Sequence, residues 1–285
     1  MAALAAHGGG AHVIGLTGSP GVGKSTTTAA LISAFRQAGR RVAVLAVDPS
    51  SPFSGGALLG DRIRMEEHAT DPDVFLRSIA SRGHLGGLSS ATPQALRVLD
   101  AAGFDVVLVE TVGVGQSEVE VAARADTTVV IVAPGMGDGV QAAKAGILEI
   151  GDVFVVNKAD RDGADDTVRE LRHMIQLGNR ERSVDWRTPV VRAVASRGDG
   201  IPELVESLAA HRDWLHASGR LEARRRERSR AEIEAIVLDR LRERLGGDGG
   251  LVSDELASAV ASGETDVYAA ASRVLGQVTG EGRRQ

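Results

Sequence analysis

Residues Gly18-Ser-Pro-Gly-Val-Gly-Lys24-Ser25 decide the fold of this chain. An apolar run at 13–16 precedes them and a helix-forming run at 26–32 follows, which is the strand–loop–helix context of the phosphate-binding pattern G-x-x-x-x-G-K-[ST]. The glycines leave backbone N–H groups open to a phosphate, and the helix N-terminus adds its dipole. The pattern predicts these phosphate-binding residues: Gly18, Ser19, Pro20, Gly21, Val22, Gly23, Lys24, Ser25 and Thr26.

Outward from this loop, apolar runs typical of strands covered on both faces alternate with helical patterns. The predicted strands are 13–16, 41–47, 74–79, 104–110, 127–133, 153–156 and 189–195, and the main helices between them are 24–38, 92–102, 165–177 and 200–218. This alternation predicts an α/β fold of the P-loop NTPase kind, with a doubly wound, mostly parallel sheet. Ligands of such sheets bind outside the carboxyl ends of the strands.

Acidic residues follow two of these predicted strands. Asp48 opens a Pro-, Ser- and Gly-rich segment that runs through Asp61 to residue 64, which we interpret as a switch whose order depends on a γ-phosphate. Glu110 precedes Gly113 in a pattern similar to the D-x-x-G switch of P-loop GTPases. Asp48 could instead form a turn, and Asp61 could cap a helix.

The predicted catalytic residues are Lys24, Asp48, Asp61, Glu110 and Gly113, and the predicted Mg²⁺ ligands are Ser25, Asp48, Asp61 and Glu110. Lys24 would reach the β- and γ-phosphates, and the backbone N–H of Gly113 would sense the γ-phosphate. The sequence leaves open whether Asp48 or Asp61 contacts Mg²⁺ directly.

Asn157-Lys-Ala-Asp160 ends a buried strand and has the N-K-x-D pattern of guanine recognition. Asp160 can accept hydrogen bonds from the ring N–H and the exocyclic amine of guanine, the stem of Lys158 would cover the base, and Asn157 would brace the loop. Ser196 follows the last strand, where G proteins place a backbone N–H against the guanine oxygen. The alternative is a polar turn. These residues predict GTP and GDP as ligands.

The composition changes after Gly219. Residues 220–244 hold nine arginines among six acidic residues, with apolar residues at helical spacing, which predicts a long amphipathic helix. Interleaved acids favour a solvated face over an RNA- or membrane-binding one. We therefore divide the chain into a short N-terminal tail (1–11), a GTPase domain (12–218) and a helical arm (219–285) that would pack on a second subunit as a homodimer.

Composition excludes several other classes of protein. The 285-residue chain has no cysteine, so disulfides, thiolate metal sites and thiol catalysis are excluded. Its net charge of −5 gives no reason to expect nucleic acid as a partner. No secretory signal or transmembrane segment is evident, and we expect a cytoplasmic protein that binds no membrane.

The two switch segments resemble those of the MeaB/ArgK-type G proteins, the methylmalonyl-CoA mutase-associated GTPases of the SIMIBI class. The strings are Val47-Asp-Pro-Ser-Ser-Pro-Phe-Ser-Gly-Gly56 and Glu110-Thr-Val-Gly-Val-Gly-Gln-Ser-Glu118, supported by shorter matches at 18–25, 59–65, 134–138 and 157–160. The resemblance implies a dimeric GTPase chaperone that gates the loading of adenosylcobalamin into an acyl-CoA mutase and protects that enzyme. It also implies a third switch at 134–144, with possible roles for Gln141 and Lys144.

Val114 follows the switch glycine, where Ras-like proteins carry a water-positioning glutamine. Because valine cannot orient water, we expect slow intrinsic hydrolysis that a client accelerates; Gln116 or a residue of the first switch could contribute. Three alternatives remain: a P-loop small-molecule kinase, a nickel-insertion GTPase and a nucleotide-bound scaffold without turnover. A nickel protein would ordinarily show a Cys or His cluster, whereas this chain has no cysteine and scattered histidines.

Overall fold

In the part of the chain that the structure describes, seven strands form one parallel sheet. The computed structural model describes residues 10–49, 68, 70–81, 91–111, 121, 123–135, 147–181, 185–245 and 251–279. The strands are β1 (His12–Thr17), β2 (Val42–Pro49), β3 (Val74–Ser81), β4 (Val106–Thr111), β5 (Thr127–Val132), β6 (Val153–Val156) and β7 (Val190–Arg192). Their order is β3-β2-β4-β1-β5-β6-β7, and every pairing is parallel. The predicted α/β fold with a parallel, doubly wound sheet is confirmed.

Helices of the first part of the chain cover both faces of this sheet. The helices in the described ranges are α1 (Lys24–Gln37), α2 (Ala91–Ala101), α3 (Ile147–Ile150), α4 (Ala164–Glu181), α5 (Ile201–Ala217), α6 (Arg220–Leu245), α7 (Asp254–Ala261) and α8 (Val267–Thr279). One core packs α1 and α5 against β1, β4 and β5, and a second packs α2 against the other face. Because both faces are covered, the central strands β1 and β4 are buried at every position. This explains their apolar runs.

One glycine follows the end of α1, and another is required in the turn after β7. The chain leaves α1 through Gly39 (φ 71°), whose N–H donates to Arg36 O, and glycine suits this left-handed position. β7 is shorter than the predicted 189–195, because a 3₁₀ turn at Ala195–Arg197 follows it. A Cβ on Gly200 (φ 76°) would lie 1.9 Å from Arg192 O, so this turn requires glycine.

The chain divides into two compact units, Met1–Arg225 and Arg226–Gln285. In the second unit, Ser253 caps α7 by accepting from Leu256 N at 3.2 Å, and the Asp266 carboxylate accepts from the first N–H groups of α8. α7 packs on α8, whose Ala270 and Val274 are buried. No helix within the described ranges combines the length and the apolar character needed to cross a bilayer.

Candidate nucleotide site

The loop at 18–23 joins the central strand β1 to α1, and close packing requires two of its three glycines. A Cβ on Gly18 (φ 142°) would lie 2.1 Å from the carbonyl oxygen of Ile131 in β5. A Cβ on Gly23 (φ 95°) would lie 2.3 Å from Nδ2 of Asn157. Gly21 (φ 80°) has open space around its Cβ position. The loop is therefore pressed against β5 and Asn157 at its two ends and open in its middle.

Lys24 is buried and lies under its own loop. Its Nζ donates to Gly18 O at 2.6 Å and to Ser19 O at 3.1 Å. These bonds hold the ammonium beside the first residues of the loop, at the carboxyl end of β1. A cation there is suited to anionic phosphates bound by the loop. Ser19 is half-buried, Pro20 is exposed, Val22 is buried and Thr26 is half-buried.

Two hydroxyls of α1 hold the carboxylate of Glu110. Ser25 Oγ donates to Oε1 at 2.6 Å, and Thr28 Oγ1 donates to Oε2 at 2.8 Å. All three side chains are buried. Glu110 reaches this place because β4 pairs in parallel with β1, with Leu16 opposite Glu110. A hydroxyl and a carboxylate at the phosphate loop are the hard oxygen donors that Mg²⁺ prefers, so the residues present fit this ion.

The remaining predicted acidic residues are only partly described. On β2, Ala46 pairs with Glu110, and the backbone of Asp48 continues two residues further along the same edge of the sheet. The predicted site residues Asp61 and Gly113 lie outside the described residues. So do Val114, Gln116, Gln141 and Lys144.

Asn157 and Lys158 contact the phosphate loop directly. Asn157 is buried; its Nδ2 donates to Val22 O at 2.8 Å, and its Oδ1 accepts from Ala195 N at 3.0 Å. Lys158 has a left-handed backbone (φ 57°), and its Nζ donates to Gly21 O at 2.6 Å. These bonds connect the phosphate loop, which follows β1, to the segments that follow β6 and β7.

The other two predicted base-binding residues lie at the surface of the same corner. Asp160 is exposed, and its carboxylate is 3.8 Å from the guanidinium of Arg197. Ser196 is exposed in the 3₁₀ turn. It follows Ala195, whose backbone N–H donates to Asn157. The structure thus brings the N-K-x-D segment and the turn after β7 together beside the loop, with polar groups open to a base.

Thr28 is the residue of this site that the sequence analysis missed. It stands in a Thr-Thr-Thr run that reads as ordinary helix. A usable signal existed, because Thr28 lies three residues after Ser25 and side chains at that spacing share one helical face. The helical face that carries Ser25, a predicted Mg²⁺ ligand, therefore carries a second hydroxyl.

A second polar cluster, which we call the amino-edge network, lies at the opposite edge of the sheet. Thr127 Oγ1, at the start of β5, is 2.7 Å from His12 Nε2 and 2.8 Å from His211 Nδ1. All three side chains are buried. Burial is the main cause that lowers the pKa of His12 to about 3, and burial likewise lowers the pKa of His211 to about 4. Both imidazoles are therefore neutral at physiological pH.

Two arginines from the first turns of α6 complete the amino-edge network. Arg224 binds Asp152 with both terminal nitrogens, at 2.8 and 3.0 Å, in the bidentate arrangement that guanidinium and carboxylate favour. Arg225 donates to Asp126 Oδ2 at 3.2 Å and to Ala11 O at 3.0 Å. Sequence analysis placed these arginines on a solvated face, and two of the nine instead pair with buried carboxylates.

Two tryptophans pack against the amino-edge network. Trp186 Nε1 donates to Asp152 O at 2.9 Å, and its ring lies 4.8 Å from His211 and 5.6 Å from Trp214. The guanidinium of Arg220 lies 5.3 Å from the centre of the Trp214 ring, a cation–π arrangement. The start of α6 is thus held by charge pairs and by aromatic contacts.

Comparison with known proteins gives concordant results. Residues 1–249 match the sequence profile of a family described as methylmalonyl-CoA mutase-associated GTPase MeaB. A Pyrococcus abyssi protein whose name assigns it to the GTPases is 48% identical over 96% of this chain and 85% of its own length. The GTPase ArgK of Escherichia coli is 40% identical over 80% of this chain and 71% of its own length. A crystal structure of a LAO/AO transport system kinase superposes with a TM-score of 0.70 at 27% identity, covering 98% of this chain and 85% of the other.

Proposed function

This chain belongs to the MeaB family of methylmalonyl-CoA mutase-associated GTPases, and we propose that it is a GTP-driven chaperone of an adenosylcobalamin-dependent acyl-CoA mutase. In this proposal GTP hydrolysis gates the loading of the cobalamin cofactor and protects the mutase. The observation that carries the nucleotide part is that Asn157 and Lys158 both bond to the phosphate loop. Two motifs separated by more than 130 residues in sequence meet at one site.

We assign the base and the phosphates to the two sides of this site. Asp160 accepts from the ring N–H and exocyclic amine of guanine, the stem of Lys158 covers the base, and the backbone N–H of Ser196 meets the guanine oxygen. The exposure of Asp160 and Ser196 beside the loop supports this assignment. Residues 18–26 bind the phosphates, and Lys24 turns from its own loop carbonyls to the β- and γ-phosphates.

Ser25 and Glu110 are the described residues that would hold Mg²⁺, with Asp48 and Asp61 as further ligands from the first switch. A bound Mg²⁺ would neutralise charge that develops on the β- and γ-phosphates. Thr28 and Ser25 orient Glu110, and the buried position of this carboxylate keeps bulk water from it. The backbone N–H of Gly113 reports the presence of the γ-phosphate.

Hydrolysis by the isolated protein is slow, because Val114 cannot orient the attacking water. A client mutase reshapes the switches, including the segment at 134–144, and brings Gln116 or a first-switch residue to the water. The association of the family with methylmalonyl-CoA mutase supports a client of that class.

We assign the nucleotide chemistry to residues 12–218 and the role of dimerisation to the arm at 219–285, in a cytoplasmic homodimer. Ile233, Ile236 and Val237 share one face of α6, and Ile233 and Val237 have relative exposures of 63% and 50%. Three large apolar side chains on one helical face form a patch that a second copy of the arm can cover.

The decisive experiment measures GTP turnover by the purified chain, alone and with an adenosylcobalamin-dependent acyl-CoA mutase from the same source. We expect low basal hydrolysis of GTP, a marked increase with the mutase, and little turnover of ATP. Absence of stimulation by any such mutase would refute the chaperone proposal and leave the GTPase.

A second assay addresses the kinase alternative, which stays relevant because the structural neighbour is named a LAO/AO transport system kinase. ATP turnover coupled to phosphate transfer onto a small acceptor would favour a kinase.

Recognition of the guanine base is tested by Asp160→Asn. This change is expected to weaken GDP binding by about 10–100-fold, since a charge-assisted hydrogen bond contributes about 1.5–3 kcal/mol. Asp162→Asn, at an exposed position two residues further on, is the matched control.

A further inference from the structure

The Glu110 carboxylate receives one hydroxyl on each oxygen, and both come from the same face of α1. Ser25 Oγ lies 2.6 Å from Oε1, and Thr28 Oγ1 lies 2.8 Å from Oε2. Thr28 is fully buried, and Ser25 and Glu110 are nearly so. Two donors on opposite oxygens fix the rotation of a carboxylate about its last bond, which is otherwise broad.

The hydroxyl of Thr28 has a choice of acceptors, and the carboxylate is the stronger one. Lys24 O lies 3.0 Å from Thr28 Oγ1, in the ordinary bond of a helical threonine to the residue four positions earlier. Glu110 Oε2 is closer and charged, and hydrogen bonds to charged acceptors are shorter and stronger. The single proton of Thr28 therefore goes to Glu110.

We propose that Thr28 is a positioning residue for the Mg²⁺ site, which holds Glu110 Oε2 so that Oε1 faces Ser25. The inference rests on the proposed function, because it takes Ser25 and Glu110 as residues that hold Mg²⁺. Ser25 Oγ would offer a lone pair to Mg²⁺ and keep its proton for Oε1, while the hydroxyl of Thr28 would hold Oε2. Partners of this kind behind a metal ligand typically change metal affinity by about 10–100-fold.

The test measures metal affinity directly. The full-length chain loaded with GDP is titrated with Mn²⁺, which shares the preference of Mg²⁺ for oxygen ligands, and free Mn²⁺ is followed by electron paramagnetic resonance. We expect Thr28→Val to weaken Mn²⁺ binding by about 10–100-fold. Thr28→Ser, which keeps the hydroxyl, should restore the wild-type affinity. GDP affinity without metal should be the same in all variants.

Thr27→Val is the matched control. Thr27 is also fully buried on α1, and its hydroxyl bonds to Gly23 O at 2.9 Å, as that of Thr28 does to Lys24 O. This bond leads away from Glu110, so its loss should leave Mn²⁺ affinity at the wild-type value. If Thr28→Val does not fold, Thr28→Ala removes the same hydroxyl without adding a methyl group and is titrated in its place.

Three results with the variants would overturn the proposal: wild-type Mn²⁺ affinity in the Thr28→Val protein, an equal loss in Thr27→Val, or a parallel loss of metal-free GDP affinity. The last two would show a packing effect. A wild-type chain that binds GDP but no Mn²⁺ would overturn this proposal together with the proposed Mg²⁺ site. Normal wild-type binding with an unaffected Thr28→Val protein would overturn the role of Thr28 alone.

Discussion

Asn157 connects two backbone segments that are far apart in sequence. It accepts from Ala195 N and donates to Val22 O, and it does so from a buried position. A shorter side chain would leave a backbone N–H and a carbonyl without this partner, away from solvent. Each such group costs about 1–3 kcal/mol. A single amide therefore has consequences for stability as well as for the nucleotide.

We accordingly predict that Asn157→Ala lowers the free energy of unfolding by about 2 kcal/mol or more. The same change should weaken GDP binding, because the loop loses its attachment to the turn after β7. Urea unfolding monitored by circular dichroism measures the first effect. Gln176→Ala, which removes an exposed amide from α4, should change stability little. Equal stability of the two variants would contradict the structural role of Asn157.

The glycines of the phosphate loop should respond unequally to alanine. In Gly18→Ala the new Cβ meets the Ile131 carbonyl oxygen at 2.1 Å, so backbone must shift. We expect a loss of about 3 kcal/mol or more from this clash and from the unfavourable φ of 142°.

Gly21→Ala tests backbone conformation without the clash. Its Cβ position is open, so only the positive φ is unfavourable, at a cost of about 1 kcal/mol. Thermal unfolding of both variants in the absence of nucleotide gives the comparison. A Gly21→Ala protein that is the less stable of the two would show that this account of the loop is wrong.

At the scale of elements, the first turns of α6 are tied to the amino ends of β5 and β6. Arg224 also donates to Asp126 O at 2.7 Å, so one guanidinium joins the ends of two strands. Its partner Asp152 is mostly buried, with 12% of its side chain exposed, whereas 38% of the arginine side chain is exposed. This partial exposure makes the pair weaker than a fully buried one, for which breaking costs about 3–5 kcal/mol.

Arg224→Ala should therefore lower the free energy of unfolding by about 2 kcal/mol, chiefly because Asp152 loses its counter-charge. The control is Arg226→Ala, which removes an exposed guanidinium from the same helix. Denaturant titration at low and high salt separates the two, since a buried pair is screened less than a surface charge. Indistinguishable stabilities would mean that the ion pair contributes nothing.

The amino-edge network should make stability depend on pH. The pKa values of His12 and His211, lowered to about 3 and about 4 mainly by burial, lie below that of a free histidine, about 6.5. Unfolding therefore takes up protons below pH 6.5 or so. The contribution of the two histidines to the free energy of unfolding is fully present above about pH 6.5. It falls toward pH 4 by about 1.4 kcal/mol per pH unit for each histidine. The nearby charges of Asp126, Asp152, Arg212, Arg224 and Arg225 are secondary to burial in setting these pKa values.

The measurement is the free energy of unfolding between pH 7 and pH 5, where ordinary carboxylates stay ionised. His211→Gln should remove about half of the pH dependence, and His216→Gln, an exposed change on the same helix, should leave it intact. A stability that does not change between pH 7 and pH 5 would contradict the neutral, buried state of the two imidazoles.

At the scale of the whole molecule, sequence analysis predicted those features that depend on the local pattern of residues. The runs that became β1 and β4 are apolar because both faces are covered, and the loop at 18–25 is fixed by its glycines and its place before a helix. The amino-edge network could not be predicted, because His12 and Thr127 are 115 positions apart and Arg225 and Asp126 are 99 apart. Nothing in the neighbourhood of any one of these residues indicates its partner, since the sheet order brings them together.

The dimer proposal predicts the behaviour of the whole chain in solution. Val237→Glu places a charge in the apolar face of α6 and should weaken self-association by about 100-fold or more, as expected for an unpaired charge in an interface. Ala235→Glu adds the same charge on the opposite side of the helix and should have little effect. Size-exclusion chromatography with light scattering measures the mass. A monomeric wild-type chain would refute the proposed dimer.

The ring centres of the two tryptophans of the chain lie 5.6 Å apart, beside the start of α6. Trp186 bonds to Asp152 just before β6, and the phosphate loop follows the other end of β1, so the indole emission of this protein originates at the edge of the sheet away from the nucleotide. Neither tryptophan lies at the edge of the sheet that carries the nucleotide site. A change in tryptophan emission when GTP is added would consequently be a signal that has crossed the sheet, recorded without any label.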